Sequence, residues 1–209
     1  MPTMRGACCA PEGLHTTGKL MSEIEQLKAS IDRLESRVAI SELVTAYAIA
    51  CDEHDMPRLT GLFTADAVFD SPSGAMVAHG RPAIEAMFIE LFKVRGPAFH
   101  WTHDHTVSFD DQDRNRASGL VLSHAETCPG EVVSLAAMRY NDEYRRAGER
   151  WHFAHRTINF LYYVPVTEFK TVFKERNRLS IRGQRMPADY PETLACWQDF
   201  HARYVEPGK

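Results

Sequence analysis

The sequence predicts an α+β domain in which helices come first and a curled antiparallel sheet second. Three observations carry this. Apolar residues recur at steps of three and four from Ile24 to about Cys51, and again from Ile84 to Phe92. The period changes to two at Phe99, and from Ala117 to Val164 three long alternating runs are separated by Pro129-Gly130 and by Ala147-Gly148-Glu149.

The first helix is read from Ile24, Leu27, Ile31, Leu34 and Val38, with Ser22 as N-cap and Glu25 three residues on. It continues through Ile40, Leu43, Val44 and Tyr47. Two partners suit its apolar stripe: the sheet of its own chain, or another subunit in a short coiled coil. After Asp52 the run Glu53-His54-Asp55-Met56-Pro57 breaks the pattern, and Pro57 starts a short helix carrying Leu59, Leu62 and Phe63. Ala67-Val68-Phe69 is a strand, returning as Met76-Val77-Ala78 after Asp70-Ser71-Pro72-Ser73-Gly74. A third helix follows Gly80-Arg81-Pro82 and ends at Gly96-Pro97. From Phe99 the strand pattern places His103, His105, Val107 and Phe109 on one face, and Ala117–Thr127, Val132–Arg146 and Trp151–Val164 make a meander. Beyond Thr167 there are two weak helical stretches, Phe169 to Leu179 and Glu192 to Tyr204. The expected division is a disordered extension over 1–20, one domain over 21–166 and a helical tail over 167–209.

Composition narrows the function. At 209 residues, 44% hydrophobic and 25% charged, the chain can bury a core and is far from the disordered class. A net charge of −4, from 24 basic and 28 acidic residues, gives no broad cationic footprint for nucleic acid. Apolar runs such as Phe160 to Val164 fall far short of the ~20 residues of a membrane helix, and residues 1–19 lack a secretory apolar core. The expected address is the cytoplasm, with no membrane partner. The five cysteines show no CxxC spacing and are expected to be reduced thiols. No GxGxxG, GxxxxGK[ST] or GxSxG occurs in the context that dinucleotide, P-loop or α/β-hydrolase folds need.

Few residues suggest chemistry. Asp52 ends an apolar helix, where the helix dipole disfavours a second negative charge and burial would make the carboxylate more basic. Tyr47, five residues earlier, would line the same cavity. Phe99-His100-Trp101-Thr102-His103-Asp104-His105 holds three of the chain's ten histidines. It suits a carboxylate-oriented general base, or a metal site on His103 and His105 completed by His124 or Glu126, or the plain polar mouth of a strand. Arg156 lies in a strand-like run where a charge is costly unless paired.

Taken together, RVAISELVTAYAIACD, DMPRLTGLFTADAVF, GRPAIEAM, FHWTHDHTVSF and YNDEYRRAGERWHFAHR resemble the SnoaL-like branch of the nuclear transport factor 2 superfamily, over about Ile24 to Val164. Its lyases, hexachlorocyclohexane dehydrochlorinase, bile-acid 7α-dehydratase and scytalone dehydratase, are the members it looks most like. The resemblance implies a cone, with the N-terminal helices packed over the concave face of the sheet. It implies a catalytic pair of Asp52 with His100, or with His103 as the alternative, assisted by Tyr47 and Arg156. Trp101, His124, Glu126, Phe69 and Phe88 are assigned to the substrate, and no metal or cofactor is expected. The implied activity is elimination of water or halide from a hydrophobic aryl or polycyclic molecule. Retro-aldol loss of formaldehyde from a diaryl substrate and a non-catalytic binding or accessory module are the alternatives, since fold does not fix reaction. A homo-oligomer is expected, a trimer before a dimer, with Phe169, Phe173, Leu179, Trp197 and Phe200 of the tail crossing a neighbour or closing the cone mouth.

Overall fold

The computed structural model describes residues 13–181 and 183–205, with side chains from residue 20 onward. Residues 1–12 of the expected extension, Cys8 and Cys9 among them, lie outside this range. From Gly13 the backbone is already helical. The chain divides into two compact units, 1–38 and 39–209. What is described of the first is the N-terminal part of helix α1 (Gly13–Glu53).

The second unit holds the fold. The last turns of α1 bury Ile40, Leu43, Val44, Tyr47, Ala50 and Cys51, a single stripe at helical spacing. The helix ends because His54 turns to φ 54°, and the Asp55 N–H closes back on the Ala50 carbonyl at 3.0 Å. Asp55 then caps α2 (Met56–Gly61), its Oδ1 accepting from the Arg58 N–H at 3.0 Å. Phe63, expected in that helix, instead opens strand β1 (Phe63–Asp70). The short β2 (Ala78–His79), α3 (Arg81–Arg95) and β3 (Phe99–Phe109) follow. The meander is β4 (Arg116–Thr127), β5 (Ser134–Ala147) and β6 (Arg150–Pro165).

The strands run in the order β2-β1-β6-β5-β4-β3, antiparallel apart from β1, which lies parallel to β6. That pairing is non-local and leaves no mark in local sequence. Register shifts between Ala137 and Met138 and between Glu143 and Tyr144 bend the sheet around the helices. Tyr47, Phe63, Phe69, Phe88 and Phe153 meet beneath α1 in edge-on and tilted contacts. No helix of the described residues is long and apolar enough to cross a membrane.

The tail is helical over 195–205, in keeping with the second expected stretch, and departs from the first. Val166–Lys174 is a 3-10 segment, and β7 (Leu179–Ile181) and β8 (Gln184–Met186) form a hairpin on the sheet before the short α4 (Ala195–Phe200). The reason is the length of β6. β1 pairs it only as far as Thr157, so the backbone edge near Tyr163 is open and Leu179 of β7 takes it. Buried Arg178 fastens the connection, donating to the Leu161 carbonyl at 2.6 Å and to both Glu192 oxygens at 2.7 and 2.8 Å. Leu179 and Val172 are buried in this way, while Phe169, Phe173, Trp197 and Phe200 stay exposed.

Gly96 sets the approach to the site. It stops α3 at φ 63°, ψ −163°, a region in essence reserved for glycine, and an added Cβ would lie 2.9 Å from the Cys128 carbonyl oxygen. Gly96→Ala is expected to cost about 1–3 kcal/mol, read as a lower urea midpoint at unchanged slope.

Candidate active site

Asp52 is presented by the last turn of α1, and His100 by the second residue of β3. Asp52 holds His100 twice: Oδ2 accepts the His100 backbone N–H at 2.9 Å, and Oδ1 accepts from the ring Nδ1 at 2.6 Å. With its proton on Nδ1, the ring has its lone pair on Nε2. Arg95, from the last turn of α3, brings Nη2 to 2.9 Å from Nε2 and 3.2 Å from Nδ1, so the guanidinium lies against the imidazole, nearly equidistant from its two nitrogens, and not along the in-plane Nε2 lone pair. Burial pushes the His100 pKa below its ordinary 6.5; the Asp52 hydrogen bond opposes this and the Arg95 charge adds to it. His100 is thus a neutral imidazole with a defined tautomer.

Tyr47 and Arg156 belong to the same interior. Arg156 is fully buried, donating Nε and Nη2 to the two oxygens of Asp142, each at 2.8 Å. Its guanidinium lies 4.2 Å from the ring centres of Tyr47 and Tyr140 and 4.0 Å from that of Phe153, while Nη1 has no hydrogen-bond partner among the described residues. The Tyr144 hydroxyl donates to Asp142 at 2.8 Å and accepts from His105 Nε2 at 3.1 Å. Burial raises the Tyr47 pKa well above 10 and moves Tyr140 to about 12, so both keep their O–H. The Cys51 thiol, next to Asp52, is pushed by burial to about 11 and is no nucleophile.

The other expected site residues lie elsewhere. His100 stands opposite Ala125, which is buried, whereas Trp101 stands opposite His124 and Phe99 opposite Glu126, all four exposed. Directly paired residues of an antiparallel ladder share a face, so Trp101, His124 and Glu126 are on the outer side of the sheet. A bulge between Thr102 and His105 interrupts the alternation, and His103 Nε2 meets His124 Nδ1 at 2.7 Å there. These four residues line an open groove of about 400 Å³ with Tyr162 and Phe169. The same bulge separates His103 from His105, which meets Tyr144 instead; among the described residues no set of three or more His, Cys, Asp or Glu is gathered as metal ligands would be. Phe69 and Phe88 are packed within the core, where they support Tyr47.

Asp52 and His100 join the end of the first long helix to the start of the strand after α3, and the profile of the SnoaL-like domain matches residues 32–157, more than half of the chain. The chain belongs to the SnoaL-like domain family. This SnoaL-like chain is similar to gamma-hexachlorocyclohexane dehydrochlorinase of Sphingobium indicum, with 25% identity over 138 residues that make up 66% of this chain and 88% of that protein. Among solved structures it is similar to a type 2 hexachlorocyclohexane dehydrochlorinase, with TM-score 0.61 and 22% identity over 66% of this chain and 93% of that one. It is also similar to a scytalone dehydratase-like protein from Novosphingobium aromaticivorans, with TM-score 0.60 and 17% identity over 65% and 91% of the two chains. At these identities the structural likenesses establish the fold alone.

Arg95 and Asp142 are functional candidates that the sequence reading missed. A basic residue in the last turn of a helix is ordinary dipole chemistry, so Arg95 carries no distinguishing signal. Asp142 does carry one: it stands between Tyr140 and Tyr144 in the buried phase of its strand, where a carboxylate needs a partner.

Proposed function

We propose that this chain is a lyase that eliminates water or halide from a hydrophobic aryl or polycyclic substrate, with His100 as general base and Asp52 as its orienting acceptor. The observation that carries this is the neutral, tautomer-defined imidazole, held by Asp52 at 2.6 Å and bracketed by Arg95 at 2.9 Å. The Sphingobium indicum relative is named for the loss of hydrogen chloride from a chlorinated ring, which supports the same class.

In this reading substrate meets the Nε2 lone pair, and Nε2 takes a proton from carbon. The C–H electron pair becomes the new double bond, and the leaving group departs with its own pair. Arg95, beside the ring, donates to the departing halide or oxygen, and a hydroxyl leaves as water by taking the proton back from the imidazolium. Tyr47 and the open Nη1 of Arg156 add N–H and O–H donors fixed in a dry site. His103, Trp101, His124 and Glu126 take no part in these steps.

A panel of chlorinated cyclohexanes, hydroxysteroids and aryl-diols, followed by mass spectrometry, tests the reading. Loss of HCl or H2O from one member is the expected result. Release of formaldehyde would replace elimination by retro-aldol cleavage, and a ligand that raises the melting temperature with its mass unchanged would replace catalysis by binding.

The pH dependence follows from the lowered His100 pKa. The acid limb of kcat/KM is expected to have its midpoint below 6.5. The unfolded chain binds more protons than the folded one between the folded pKa and 6.5, so stability from this group is complete above 6.5 and erodes as pH falls below it. An acid limb centred above 6.5 would contradict the assignment.

A further inference from the structure

The N-terminal part of α1 carries a pattern that the lyase chemistry leaves unexplained. Leu20, Ile24, Leu27, Ile31, Leu34 and Val38 recur at steps of four, three, four, three and four, and are 55, 37, 63, 53, 64 and 59% exposed. In heptad terms Ile24, Ile31 and Val38 are a positions, and Leu20, Leu27 and Leu34 are d positions. Apart from Met21, the positions between them are polar or small, Glu25, Gln26, Ala29, Asp32, Arg33 and Ser36 among them. The next d and a positions, Ser41 and Thr45, are polar, so the seam ends at Val38.

We infer that this segment pairs with the same segment of a second copy as a parallel, two-stranded coiled coil. Among parallel coiled coils, β-branched residues at every a position with leucine at every d position favour two strands, in place of the trimer expected from the family resemblance. The flanking charges fit the same arrangement. In a parallel pair, a g residue faces the e residue five positions on in the partner: Glu23 faces Lys28, and Arg37 faces Glu42, each twice by symmetry, while Ser30 facing Glu35 is neutral. An antiparallel pair centred on the same six residues would keep an attraction between Glu23 and Arg37 but set Lys28 against Lys28. Fewer than three full heptads make a weak coiled coil alone. Here the helix is continuous with the packed stretch from Ile40 to Cys51, so it needs no separate nucleation before it can pair.

Light scattering on the full chain is expected to give twice the 23.7 kDa protomer mass. Leu27→Lys with Leu34→Lys is expected to give the protomer mass, with an unchanged circular dichroism spectrum, since both side chains are exposed. A monomeric or trimeric full chain, or a dimer that survives the two lysines, would overturn the pairing. Orientation has its own readout. With Cys8 and Cys9 replaced by serine, Leu20→Cys is expected to form an interchain disulfide under mild oxidation that the serine background alone does not form. A dimer that fails to cross-link would refute the parallel arrangement.

Discussion

His100→Ala and Asp52→Asn are each expected to lower kcat/KM on the converted compound by about 10²–10⁴-fold, the usual contribution of a positioned general base. The two losses have different origins. Removing the imidazole removes the atom that accepts the proton. Replacing the carboxylate leaves the imidazole in place but puts an amide where two acceptor oxygens now take the His100 backbone N–H and Nδ1–H. An asparagine can present one oxygen and one N–H there, so it favours the tautomer with the proton on Nε2, which cannot act as base. The double variant is therefore expected to be no worse than His100→Ala, because the two residues act as a unit. Initial rates and melting curves on the three variants check this. Near-wild-type activity in either single variant would dismiss the pair, whereas losses that multiply in the double variant would show separate roles.

How far this site was legible differs residue by residue. Asp52 could be read from the sequence because the apolar phase of α1 stops just before it. His100 could be read only through the family resemblance: local chemistry rates it level with His103 and His105, and what separates them is a bulge between Thr102 and His105 that no glycine or proline announces. The outer placement of Trp101, His103, His124 and Glu126 follows from that bulge and from the pairing of His100 with Ala125. Helix and strand types were legible throughout the meander, where alternation and turns agree. The parallel pairing of β1 with β6 was not, since it depends on which distant edge is left open, and the same is true of β7. Arg156 reads from the sequence as a charge in need of a partner, but its partner lies in another strand, and only the register of β5 on β6 sets Asp142 opposite it.

That partnership sets the largest expected stability effect, for Asp142→Ala. The carboxylate accepts three donors, two from Arg156 and one from Tyr144, and neither charged side chain reaches solvent. Without it, a guanidinium that cannot lose its proton stays among Tyr47, Tyr140 and Phe153 with no counter-charge. The aromatic faces offset only part of that cost, since a desolvated cation–π contact is worth about 2 kcal/mol. Breaking a buried pair from one side costs about 3–5 kcal/mol, which for a domain of this size lowers the melting temperature by roughly 6–20 °C. Arg156→Met is expected to cost less, because the Asp142 left behind can take up a proton and become neutral, and its cost should grow as pH rises. The double variant Asp142→Leu with Arg156→Met removes both charges together and should be more stable than Asp142→Ala alone. Urea unfolding of the three variants at two pH values decides this. If Asp142→Ala stays within 1 kcal/mol of the wild type, or the double variant is the least stable, the ion pair does not hold the floor of the site. If the order is as argued, the cation beneath Tyr47 is kept in place by its strand neighbour.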